Sequence, residues 1–465
     1  MVKLIQLTNG FYGVDKKSIT DLSKLLSDFH VEPYSENPKY KIKDFSIYHE
    51  VKIGDIVYCL LPRGYVLSKW KLDYVMDIKQ YPDLSKKYDL KSIQTSLGLN
   101  FFDYQIDCIK TQIGKSGILK LSCGAGKTYI SISIALLLGK KFMIIVDKDY
   151  LCDQWKKEID KFGLSSCIIS RLKKKNQSSE KFDSDVLIST YKSCCGKYKS
   201  SDFDDYYTVI IDEVHMYLTP KYIKLFYTVS RTYMIGLTAT NTKANKTGYL
   251  LDYFIGPIVY EYNKSYDGAP IKVIPIDFKS EKLKIIYKNE KICTTETYKY
   301  IADIEERNDL ILSLIYKAVE VSKPEDQIIV IGLFRNQLEV LLKRLEESTF
   351  SVGIYYSITT VAGRKQLEEA KQKKVILAIR ALGSQSLNVP NARYMIMASS
   401  YITKSLGNGT YWSGTLEQLI GRIKRKKHKD SPIIIDIFDH ISFLIRHKRL
   451  RLAFYKKEGI EITDW

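Results

Sequence analysis

Cysteine is used without pattern: there are eight in 465 residues, with no Cys-x-x-Cys pair, no Cys/His cluster at zinc spacing, and Cys194 simply adjacent to Cys195. Those absences exclude a zinc module and a disulfide-stapled scaffold. No signal peptide opens the chain at Met1-Val-Lys-Leu-Ile-Gln-Leu-Thr, so the thiols are expected to stay reduced in an intracellular, cytoplasmic protein. Long apolar runs are missing too. The longest helical one, residues 130–138, is too short to span a bilayer, and no membrane segment is expected. There is no short-period repeat and no long low-complexity tract, which excludes a solenoid. Acidic residues are in deficit, 53 Asp and Glu against 72 Lys and Arg, leaving a formal charge of +19. A polyanionic partner, most simply nucleic acid, would account for that excess, and so would Lys-rich coding bias. What is present is ordinary for a globular protein, 45% hydrophobic and 27% charged, and the length suits two or three domains.

The chemistry concentrates in two segments. In Leu121-Ser-Cys123-Gly124-Ala125-Gly126-Lys127-Thr128, backbone N–H groups can wrap a triphosphate, Lys127 can reach the terminal phosphates and Thr128 can hold Mg²⁺. In Asp212-Glu213-Val214-His215, Asp212 can reach the same metal and Glu213 can orient or deprotonate the attacking water. Each follows an apolar, strand-like run. The strict phosphate-loop pattern wants a Gly where Leu121 stands, whereas the Gly-x-Gly-Lys-Thr core is intact. A Gly-rich turn that merely joins strand to helix is the bland alternative, and the helix expected over residues 128–138 is the context that favours the phosphate loop.

Apolar runs at residues 117–121, 142–146, 186–189, 209–211 and 234–237 predict buried parallel strands, with helices over 150–162 and 222–230 between them. This βαβ rhythm puts the phosphate loop at a strand's carboxyl end. It pauses at Gly256-Pro257 and Gly268-Ala-Pro270, then resumes with a helix over 304–321 and strands at 327–331, 351–356, 375–379, 394–398 and 433–437. No second phosphate loop follows. Residues 1–95 are Tyr-rich, with short mixed runs and turn signals, and predict a small α+β accessory domain. On a helix starting near Thr415, Gln418, Arg422 and Arg425 share one face, and two arginines there can neutralise charge on a transferred phosphoryl group. Lys426, Lys427 and Lys429 follow directly, so a solvated basic helix is the competing reading.

Taken in order, these segments resemble the motif series of a superfamily 2 helicase over roughly residues 98–440. Phe102-Asp-Tyr104-Gln105 is similar to the adenine-reading glutamine segment, and the Cys123–Thr128 stretch to motif I. Leu151-Cys-Asp-Gln154-Trp155 resembles motif Ia, Ser189-Thr190-Tyr191 the backbone-touching motif Ib, and Asp212–His215 motif II. Thr238-Ala239-Thr240 looks like motif III and the Gln418–Arg425 run like motif VI. The Asp-Glu-Val-His box and the Gln-Trp pair are similar to the XPB-like group, including poxviral transcript-release and phage branch-migration helicases.

The resemblance implies an α/β fold of two tandem RecA-like P-loop domains with a small N-terminal α+β accessory domain, at residues 1–95, 96–255 and 256–465. It implies ATP and Mg²⁺ as cofactors, nucleic acid as partner with DNA favoured over RNA, and a monomer with a possible polymerase or transcription-complex contact. Under it Gln105 reads adenine and Glu213 is the catalytic base. Arg422 and Arg425 act as arginine fingers, and His215 couples motif II to Gln418 or Thr238. Thr240 belongs to the coupling set, while Gln154, Trp155, Ser189, Thr190 and Tyr191 meet the polymer.

The chain departs from the pattern at Ser386-Leu-Asn388, where the family has Gly and Asp, and after Thr240, where Asn241 and Lys243 stand near the usual Pro and Arg. A nucleic-acid scaffold with an uncoupled ATPase is therefore the reading from a different class, beside an RNA-directed helicase. The basic stretch Arg446–Lys457, which carries Arg451, Phe454 and Tyr455, could grip phosphates and stack on a base. An amphipathic helix with its Leu and Phe turned to the core is the preferred reading.

Overall fold

The computed structural model describes residues 4–6, 12–19, 21–33, 44–69, 81–122, 124–172, 182–239, 247–262, 268–355, 361–380, 389, 391–399, 404–405, 411–412, 414–424 and 426–465. Its contacts divide the chain into two units, Met1–Lys264 and Ser265–Trp465.

The first unit opens with an antiparallel sheet of β1 (Leu4–Gln6), β2 (Tyr12–Asp15), β3 (His49–Ile53) and β4 (Ile56–Leu61), in the order β1-β2-β4-β3. Helix α1 (Arg63–Lys69) follows. This is the expected α+β region, and its core is continuous with that of the α/β sheet after it: Val14, Leu61 and Val66 belong to the same buried cluster as Val209 and Phe254. The Pro62-Arg63-Gly64 turn fastens the two together. Arg63 donates to the carbonyls of Thr232 and Arg231. Gly64 lies so close to α2 (Tyr249–Phe254) that a Cβ there would sit 1.9 Å from the Asp252 carbonyl oxygen.

Seven parallel strands follow: β5 (Gly117–Leu121), β6 (Phe142–Val146), β7 (Ser166–Ile168), β8 (Val186–Thr190), β9 (Thr208–Ile211), β10 (Tyr233–Thr238) and β11 (Ile258–Tyr262), in the order β11-β5-β10-β9-β6-β8-β7. Strands β6, β8, β9 and β10 are buried at every residue, because a parallel sheet is covered on both faces. The expected boundary at residues 255/256 needs correction. Strand β11 lies beyond the Gly256-Pro257 pause yet pairs with β5, so the first unit runs on to Lys264.

The second unit carries another seven-stranded parallel sheet: β12 (Lys272–Phe278), β13 (Gln327–Gly332), β14 (Val352–Tyr355), β15 (Val375–Ile379), β16 (Ala392–Met397), β17 (Ile433–Asp439) and β18 (Glu461–Ile462). Its order is β14-β15-β13-β16-β17-β12-β18. Strand β12, just after the Gly268-Ala-Pro270 pause, was not foreseen, and it carries Pro275, a residue type that a strand interior disfavours. The physical reason Pro275 is tolerated is an open flank. Val273 accepts from Thr463 on the β18 side, and β18 pairs only as far as Val273, so Pro275 turns its missing N–H toward an unpaired edge. Among the described residues no helix is long and apolar enough to cross a membrane.

Candidate active site

Strand β5 ends at Leu121, buried in the core, and the turn begins only afterwards. Gly124 (φ 79°) and Gly126 (φ 85°) take the left-handed conformation and feed the chain into α3 (Lys127–Leu138), so no glycine is needed at position 121. The loop is braced from outside: the Ala125 carbonyl accepts from Tyr104 Oη at 3.0 Å and Gln105 Nε2 at 3.1 Å. Gln105 is buried, and its Oε1 accepts from the Phe102 N–H at 3.0 Å. Both ends of the amide that was expected to read adenine are therefore bonded to protein backbone. A Cβ on Gly126 would stand 2.4 Å from Gln105 Nε2, whereas one on Gly124 would meet nothing within 4 Å.

The acidic pair stands at the carboxyl end of β9, on the same edge of the sheet as this loop. Lys127 Nζ lies 3.4 Å from the Leu121 carbonyl oxygen and 3.8 Å from Glu213 Oε1. Asp212 Oδ1 accepts from the Glu213 N–H at 3.0 Å, and Oδ2 accepts from the Trp155 indole N–H at 3.3 Å. Burial and the neighbouring Glu213 charge push the Asp212 carboxyl up to about 6, against the opposing pull of Lys127. Glu213 holds a left-handed backbone (φ 45°), uncommon outside glycine. Its buried Oε2 has no hydrogen-bond partner among the described residues. His215 Nδ1 lies 2.9 Å from Thr238 Oγ1 and 3.5 Å from Glu213 Oε2. Burial lowers its pKa, which keeps the ring neutral near pH 7. Thr238 is one of the two partners expected for His215, and the side chain of the other, Gln418, lies outside the description.

A glycine cradle at a helix N-terminus, a lysine and two carboxylates, one of them with an oxygen that accepts no hydrogen bond among the described residues, suit a nucleoside triphosphate with its divalent ion. The description "Type III restriction enzyme, res subunit" matches residues 98–243, and "Helicase conserved C-terminal domain" matches residues 306–427. The chain is 25% identical to a putative ATP-dependent RNA helicase of Acanthamoeba polyphaga mimivirus, over 93% of this chain and 81% of that one. It is 24% identical to the DNA 3'-5' translocase XPB2 of Sulfurisphaera tokodaii, over 77% and 84%. The chain belongs to the superfamily 2 helicases. The helicase is an ATP-hydrolysing enzyme that acts on nucleic acid. Its two sheets are the RecA-like pair. The fold is similar to that of S. cerevisiae Dbp5 bound to RNA and ADP BeF3, with a TM-score of 0.57 at 14% identity, covering 81% of this chain and 92% of that one.

Several residues expected to touch the polymer are placed otherwise in the helicase. Gln154, on α4 (Asp149–Asp160), is exposed, but its neighbour Trp155 is buried against the core and bonded to Asp212. Ser189 and Thr190 end β8 and are buried. Ser189 Oγ donates to the Thr190 carbonyl, and Thr190 caps the short helix Tyr191–Lys197 by accepting from the Ser193 N–H. Tyr191 packs edge-on against Tyr222 at 4.6 Å. The side chains of Trp155, Ser189, Thr190 and Tyr191 are thus buried. The basic C-terminal stretch forms α6 (Ser442–Lys457), after α5 (Gly414–Ile423) in the chain. There Arg451 is 1% exposed and pairs with Asp436 at 3.0 Å, while Tyr455 donates to the same carboxylate at 2.8 Å. The core-facing reading of that helix holds. Arg422 lies on α5 and is buried. Gln418 lies on the same helix, with its side chain outside the description, and Cys123, Thr240, Ser386, Asn388 and Arg425 lie outside the described residues.

Proposed function

We propose that this helicase is a DNA-directed translocase or unwinding motor, with its hydrolytic centre at the β5 and β9 carboxyl ends. The convergence of Lys127, Asp212 and Glu213, whose Oε2 accepts no hydrogen bond among the described residues, carries the hydrolytic part of this reading. Lys127 and the loop N–H groups from Cys123 to Gly126 hold the phosphates. Thr128 and Asp212 would hold Mg²⁺, which would supply neutralisation of phosphate charge. Glu213 takes a proton from water as the water oxygen bonds the terminal phosphorus and the bond to the ADP oxygen breaks. Arg422 and Arg425, in the second unit, are assigned the neutralisation of charge on the transferred phosphoryl group, and Gln418 accompanies them. Gln105 acts first as a brace for the loop, and an adenine contact would use the amide's second N–H and second Oε1 lone pair. His215, through Thr238 and with Thr240, couples hydrolysis to the polymer.

The named DNA translocase among the relatives supports a DNA substrate, whereas the mimiviral relative's name favours RNA. Steady-state ATP hydrolysis with no polymer, single-stranded DNA, duplex DNA and RNA separates the two, with Lys127→Ala as blank. Greater stimulation by DNA is expected. Equal or greater stimulation by RNA would transfer the assignment to an RNA helicase, and indifference to every polymer would favour the uncoupled scaffold.

A further inference from the structure

The two lone-pair regions of Asp212 that its neighbours occupy are fixed by donors of different origin. One is the next peptide N–H in the chain, from Glu213, and the other is an indole N–H delivered from 57 residues earlier by α4. Trp155 is 4% exposed and packed in the same buried cluster as Val146, Cys152 and Ile159, so its ring has little freedom to leave. An indole has one polar atom and it only donates, and here that proton is committed to Oδ2. A ring of this size needs no such bond to fill a core. A carboxylate pinned at both oxygens, however, presents its remaining lone pairs in a single orientation.

We propose that Trp155 is a positioning residue for the metal carboxylate, setting the orientation in which Asp212 receives Mg²⁺. This rests on the assignment of Asp212 to the metal. It also gives the Gln-Trp pair of α4 a divided role, since Gln154 is exposed on the helix while Trp155 is turned inward to Asp212. Movement of α4 would therefore be felt at the metal carboxylate.

The test is binding of a fluorescent ADP analogue titrated with Mg²⁺, which needs no turnover. Trp155→Phe keeps an aromatic ring and removes the N–H. It is expected to raise the Mg²⁺ midpoint about tenfold, the lower end of what loss of a partner to a metal-ligating group costs, while affinity in EDTA stays at the wild-type value. A wild-type Mg²⁺ midpoint in Trp155→Phe would overturn the proposal. Asp212→Asn separates the two layers: if it too leaves the midpoint unchanged, the assignment of Asp212 to the metal fails first. Should Trp155→Phe not fold, the wild-type protein still decides. It has four tryptophans, and one of the ¹⁵N indole resonances must shift when Mg²⁺ is added to the ADP complex and stay in place in Asp212→Asn. No moving resonance would overturn the proposal.

Discussion

Glu213 and Gly126 show how single residues carry the site. Glu213 is held in a left-handed backbone beside a carboxylate that burial drives toward neutrality, and one of its oxygens accepts no hydrogen bond among the described residues. Glu213→Gln retains the shape and removes the base, so hydrolysis should fall by about 10²–10⁴ while nucleotide affinity is preserved. Parallel loss of affinity in a fluorescent-nucleotide titration would mean that the residue binds rather than catalyses. Gly126 is constrained twice, by its φ of 85° and by Gln105 Nε2 standing 2.4 Å from where a Cβ would lie. Gly126→Ala therefore incurs about 1–2 kcal/mol of backbone strain and displaces the amide that braces the loop. Weaker ADP binding, about five- to thirtyfold at that cost, is the expected readout. His215→Ala should lose stimulation by polymer more than basal hydrolysis, because its bond runs to Thr238 and its ring is neutral. Equal loss of both rates would reject a coupling role. These residue types were legible in the sequence because the phosphate loop and Asp-Glu-Val-His are local patterns. The Trp155–Asp212 bond was not, since nothing local marks a contact spanning 57 positions.

Elements were readable wherever one period dominated. The strands at residues 117–121, 142–146 and 375–379 fall where apolar runs place them. Strands β11 and β12 escaped because each sits beside a Gly or Pro signal that normally ends a strand, and only the sheet order shows why these tolerate it. The Pro62-Arg63-Gly64 turn is another feature whose meaning is tertiary. In an isolated helix, replacing Gly64 by Ala would stabilise by about 1 kcal/mol. Here a Cβ would collide with the Asp252 carbonyl, so Gly64→Ala should lower the melting temperature and expose the N-terminal sheet to limited proteolysis. A stabilised Gly64→Ala protein would show that the contact between α1 and α2 is loose. The sign of the change is the diagnostic, because helix propensity and docking predict opposite ones.

Over the whole molecule, the +19 charge is the property that sequence conveyed most directly and placed least well. The helix richest in cations by eye, α6, spends Arg451 on Asp436 and Lys448 on Asp277, so it is in part an internal electrostatic device. Meanwhile Ser189, Thr190 and Tyr191 are buried, so if the polymer runs along that edge as proposed, its contacts fall to backbone groups and to exposed side chains such as Gln154. Such contacts fix position along a phosphate backbone without reading bases. Affinity should then depend on counterion release more than on sequence. For roughly six phosphates on a single strand, raising salt from about 50 to 200 mM should weaken binding by about three hundredfold, with little difference between oligonucleotides of scrambled sequence. Fluorescence anisotropy with labelled single-stranded DNA checks both halves of this. Affinity that stays flat with salt would mean that the excess charge lies off the polymer path and only sets solubility. A steep salt response joined to strong base preference would require side chains reaching base edges, which the buried residues at the end of β8 cannot supply.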